Sequence, residues 1–134
     1  MLKKSSKMAF DFILEKLDRL GPVARPMFGC HAVYIGKKLV LITRDKNGGD
    51  NDNGVWIATT SANHESLKRE LPSLRSITVL GNGQTNWQII PKDSDGFEEE
   101  VSRACELVLR NDVRIGTIPK GKSPKSKGKP TLIR

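Results

Sequence analysis

Residues 23–42 read VARPMFGCHAVYIGKKLVLI, and this stretch decides the fold. Pro22 and Pro26 bound a loop, Phe28-Gly29 supplies a pivot, and two runs of β-branched, aromatic and aliphatic residues follow at 32–35 and 38–43. Gly36-Lys37 separates those runs, with glycine at the first position of a two-residue type II′ turn, so the segment predicts a β-hairpin. Phe28 is expected to anchor this corner to the first helix.

Upstream, Ala9, Ile13, Leu17 and Leu20 recur at helical spacing and Phe10 and Leu14 widen the stripe, which predicts a helix over 8–20. Gly21-Pro22 stops it, since glycine adopts the left-handed cap and proline cannot extend the hydrogen-bond ladder. Downstream, residues 45–54, DKNGGDNDNG, contain no apolar side chain and read as a solvated hairpin loop before a strand at 55–59. Counted from Asp45, a calcium loop fails: Gly49 stands at the fifth position, Asp50 where the turn glycine belongs and Trp56 at the bidentate position.

Ser61 suits the N-cap of a second helix over 62–71, where His64, Leu67 and Leu71 share a face, Glu65 pairs with Arg69, and Pro72 ends the run. Strands at 75–80 and 86–91 flank Gly81-Asn82-Gly83, another hairpin signal. Asp95 and Glu98 read as a cap and its reciprocal partner for a third helix. Its core stripe is Phe97, Val101, Ala104, Cys105 and Val108. Strands that come in hairpins make antiparallel sheets, and amphipathic helices must cover apolar sheet surface. The expectation is therefore a two-layer α+β domain with a mainly antiparallel five-stranded sheet and three helices, in the order α-βββ-α-ββ-α.

At 134 residues the chain is one ordinary domain, able to withdraw about two thirds of its surface from water. Its +8 charge is unevenly distributed. Residues 1–7 carry +3 and residues 113–134 carry +7, each with no acid, whereas 8–112 hold 13 basic and 15 acidic side chains. This divides the chain into a basic N-terminal extension (1–7), a folded domain (8–115) and a Lys/Gly/Ser/Pro-rich basic tail (116–134). Within the tail, Lys120, Lys122, Lys125, Lys127 and Lys129 are candidates for weak, sequence-independent contact with nucleic acid, against the alternative of a purely solubilising segment. Cys30 and Cys105 are 75 residues apart with no CxxC spacing, which suits neither a disulfide framework nor a zinc set. No apolar run approaches the roughly 20 residues of a membrane span, and no cleavable leader is evident. A cytoplasmic protein without membrane contact is the expectation.

Residues 8–112 resemble the TfoX N-terminal-domain family, through Gly21-Pro22-Val23, the motif Arg25-Pro26-Met27-Phe28-Gly29, an aromatic-containing hairpin and a closing amphipathic helix. The resemblance implies a small regulatory domain; the broader family includes proteins linked to DNA-uptake competence in bacteria. Three departures stand out: Cys30 replaces the glycine often found after the Phe-Gly pair, the 45–54 loop is long, and the second domain of full competence regulators has no counterpart.

Candidate chemistry is sparse. Cys30-His31 suggests a thiol-imidazole pair, but neighbours on a strand point to opposite faces, and His64 approaches only through the fold. Cys105 belongs to a helix stripe. Trp56, Trp87, Tyr34 and Phe28 suit a core before a ligand groove or stacking platform. Arg25 either braces its loop against a carboxylate, such as one on the third helix, or receives a partner's anion. No catalytic, cofactor or metal residue is assigned. The expected function is a non-enzymatic binding or regulatory module whose body contacts a protein, possible partners including a second copy of the chain. The alternative is a small-molecule sensor or small enzyme with a pocket near Phe28, Cys30 and Trp87.

Overall fold

A computed structural model describes residues 8–46, 51–78 and 86–118. In chain order the elements are α1 (Phe12–Lys16), β1 (Val23–Met27), β2 (Cys30–Ile35), β3 (Lys38–Arg44), β4 (Gly54–Ile57), α2 (His64–Glu70), β5 (Arg75–Ser76), β6 (Gln88–Pro91) and α3 (Phe97–Leu109). Short 3-10 turns at Asp18–Leu20 and Ser61–Asn63 adjoin α1 and α2. The strands form one antiparallel sheet in the order β1-β2-β3-β4-β6-β5. The α+β class is as expected, with six strands in place of five.

The additional strand is β1, which lies in the segment expected to be a proline-bounded loop. Val23 pairs with Tyr34 and Met27 with Cys30, so β1 and β2 form a hairpin closed by Phe28-Gly29 alone. Pro26 is compatible with this because β1 is an edge strand, where a missing N–H costs no ladder bond if it faces outward. The second hairpin follows the type II′ expectation, with Gly36 at φ +60° between Ile35 and Lys38.

Three helix boundaries differ from expectation. α1 is short because Phe10 adopts φ +56° and the chain tightens into a 3-10 turn after Leu17, although Ile13 and Leu17 are both fully buried. Ser61 opens a 3-10 turn after Thr60, and Gly96, not Asp95, holds the cap position of α3; neither start has a side-chain cap bond. The core stripe of α3 is buried throughout, with Leu107 added to it.

Two apolar clusters sandwich the sheet. Ile13 of α1 and Leu17 just after it, Leu67 of α2 and Val101, Ala104 and Leu107 of α3 pack on Val33, Leu41, Val55, Ile57 and Ile90. The opposite face holds Cys30, Ala32, Ile42, Trp56, Ile77 and Ile89, overlaid by Met27, Tyr34 and Trp87. Beyond α3 the chain returns to the sheet: Gly116 N–H donates to Ala58, and Leu39 and Thr117 exchange backbone bonds of 2.8 and 2.9 Å. Arg114 fastens this return, donating to Asp112 and to Glu70, which Arg103 also reaches at 2.8 Å. Thus the first residues of the basic segment, Gly116 and Thr117, are hydrogen-bonded to the sheet.

Candidate functional site

A two-residue hairpin loop follows the strand twist best when both residues have positive φ. Phe28 at φ +51° and Gly29 at φ +80° meet that need. Glycine adopts this conformation freely, but a bulky L-residue does so against its β-carbon, at a cost of about 1–2 kcal/mol. Packing does not offset that cost, because Phe28 is 90% exposed. The expected anchor to the first helix is therefore wrong: the two-residue turn carries Phe28 past the end of the sheet, out of reach of any core.

Charge surrounds this aromatic knob. Lys46 follows β3 and its side chain lies against Gly29, whose β-carbon, if present, would stand 2.7 Å from Cε and 3.1 Å from Nζ. Asn53 fixes the Lys46 backbone from both sides, accepting its N–H and donating to its carbonyl, each at 2.8 Å. Asp45 beside it is engaged by Lys92 at 2.9 Å. On β1, Arg25 is exposed and its guanidinium lies 5.7 Å from the centre of the Tyr34 ring. Arg25 pairs with Ala32, on the face opposite the helices, so of the two readings offered for it, bracing against a carboxylate of α3 does not hold. The tip thus combines one solvated aromatic with two exposed cations, Arg25 and Lys46.

The adjoining face is packed. Arg44 sits over Trp56 at 5.8 Å and donates to Sγ of Cys30 at 3.7 Å, while Trp56 and Trp87 meet at 5.9 Å with a tilt of 59°. Trp56 also donates through Nε1 to the Asp52 carbonyl at 2.9 Å. Cys30 and Trp87 share this cluster, and Phe28 stands outside it. His31 pairs with Thr43 and not with Ile42, so it lies on the sheet face away from Cys30, as strand alternation requires. Nε2 of His31 and Oγ1 of Thr43 are both buried and have no hydrogen-bond partner among the described residues. His64 lies elsewhere, its Nε2 3.1 Å from the Asn86 carbonyl. Burial pushes the Cys105 thiol up to about 11, which suppresses its thiolate.

The acidic loop contributes a structural group that its composition does not reveal. Asp52 is 1% exposed and accepts from Thr78 through the backbone N–H at 2.8 Å and Oγ1 at 3.1 Å, and from Arg75 at 3.3 Å. It ties the loop before β4 to the strand pair at the far edge of the sheet. Lys120, Lys122, Lys125, Lys127 and Lys129, the residues 1–7 and the Gly81-Asn82-Gly83 turn lie outside the described residues.

Of the sequence-level motif, the structure brings Arg25, Pro26, Met27, Phe28 and Gly29 together as one arm and tip of a hairpin. Lys46 and Arg44 had no sequence signal of their own; pairing β2 with β3 carries Lys46 to the tip and Arg44 to the packed face beside Cys30. No group of three His, Cys, Asp or Glu side chains able to hold a metal occurs among the described residues, and no described helix is long and apolar enough to cross a membrane. Comparison with family models, curated proteins and solved structures finds no match to this chain.

Proposed function

We propose that the protein is a non-enzymatic binding module, similar in kind to the TfoX N-terminal domain, whose contact surface is the tip of the β1–β2 hairpin. One observation carries this reading: Phe28 is 90% exposed in a backbone conformation that costs energy and receives no packing in return. Strain of this kind in an isolated fold is retained where a bound partner supplies the missing contacts. Arg25 and Lys46 beside it give that partner an anionic character, and the basic tail adds a second, sequence-independent attraction to polyanions.

The test replaces Phe28 in the full chain with the photoreactive analogue p-benzoylphenylalanine and compares crosslinking in cells with the same substitution at Val113, which follows α3 and is 88% exposed. Defined macromolecular adducts from position 28 and few from position 113 support the reading. Equal labelling at both positions contradicts it.

A further inference from the structure

We infer that the hairpin tip binds single-stranded nucleic acid, with one unpaired base stacked on Phe28 and the flanking phosphates held by Lys46 and Arg25. This rests on the tip being the contact surface, and it assigns the partner's chemistry.

The size of the apolar element argues for a base. Phe28 is the one large apolar side chain at the tip that is freely exposed; Met27 beside it is half-buried and Cys30 is buried. A bilayer or a protein pocket is normally engaged by several such groups, whereas a single aromatic ring matches the face of a single base. The ring projects from a turn of two residues, leaving both of its faces open to a base, which the walls of a sheet surface do not allow.

The cations are set for phosphates on either side. Lys46 is held in place by the reciprocal Asn53 bonds, and its side chain lies along Gly29, next to the ring in sequence and space. Arg25 stands on β1, two residues before Met27, its planar guanidinium over Tyr34 and open to solvent. The neighbouring acid, Asp45, is neutralised by Lys92. Among the described residues the charges at the tip therefore sum to a positive balance, although residues 8–112 carry a net −2. A duplex offers phosphates but keeps its bases stacked, so a ring presented in this way favours a single strand.

The decisive experiment uses the full chain, so that the tail contributes equally in every arm. Fluorescent single strands of about 12 nucleotides, and duplexes of the same sequence, are titrated by anisotropy at about 50 mM salt and above. Tighter binding of the single strand, a loss of about 5- to 100-fold on Phe28→Ala and retention on Phe28→Trp support the inference. Lys46→Ala and Arg25→Ala should each flatten the dependence of log K on log salt by about 0.7. The same affinity for the single strand in wild type and Phe28→Ala, or tighter binding to the duplex, overturns it. In parallel, flotation with phosphatidylcholine vesicles containing phosphatidylserine tests a lipid occupant: Phe28-dependent vesicle binding with Phe28-independent strand binding also overturns it. Protein-only adducts in the crosslinking experiment would remove this inference and leave the tip's role as a contact surface intact.

Discussion

Lys46 lies so close to Gly29 that a β-carbon on the glycine would meet its Cε at 2.7 Å, and this contact couples the end of β3 to the β1–β2 turn. Gly29→Ala disturbs both partners. The side chain of Lys46 can move aside, so the larger cost is the φ of +80°, and a loss of about 1 kcal/mol is expected in urea denaturation. The Lys46 side chain should also be displaced from the turn, which a change in its Cε chemical shift would report.

Replacing Phe28 should not destabilise the fold. Removing an aromatic side chain from a core costs about 3–5 kcal/mol, but this ring is in solvent. Phe28→Ala should leave stability within about 0.5 kcal/mol, and Phe28→Gly should raise it by about 0.5–1 kcal/mol by releasing the left-handed strain. Paired denaturation curves check both values.

Asp52 is a sharper structural test, because a buried carboxylate with three donors cannot be removed without stranding them. Asp52→Ala should destabilise the fold by about 3 kcal/mol, and Asp52→Asn by less, since the amide still accepts from Thr78. A change below about 1 kcal/mol for the alanine variant would show that the loop is held by other contacts.

The return of the chain after α3 should be acid-sensitive. The Arg114 guanidinium donates to Asp112 and holds its carboxyl at about 2, below the ordinary 3.8; Glu70 is lowered by the same guanidinium. A depressed folded-state pKa contributes stability that is complete above the ordinary carboxylate range and is lost as pH falls toward the folded value. Stability should therefore drop, by about 1–2 kcal/mol from Asp112, between roughly pH 5 and pH 2. Arg114→Ala should flatten that part of the pH profile.

Most of the architecture was legible because it follows from local rules. The stripe from Phe97 to Val108 lies on the buried side of α3, and Gly36 occupies the turn position its conformation suits. What was not legible depended on pairing. Pro22 and Pro26 made residues 23–27 look like a loop, since a proline is compatible with a strand only at an edge, and edge position is a property of the whole sheet. Missing β1 concealed the two-residue turn, and without that turn Phe28 looked like a core residue. The helix of 8–20 was shortened by Phe10, whose left-handed backbone places its ring 5.1 Å from that of Phe97, a tertiary contact outside the reach of periodicity. Asp52 was hidden for the same reason: a loop rich in Asp, Asn and Gly reads as solvated, and only the fold brings Thr78 and Arg75 to one of its carboxylates.

The most direct test of the tip as a strained, partner-facing element is the affinity of the Phe28→Gly protein for a fluorescent single strand of about 12 nucleotides. The variant should be the more stable protein and the weaker binder, losing about 5- to 100-fold in affinity while its denaturation midpoint rises. Wild-type affinity in that variant would contradict the account.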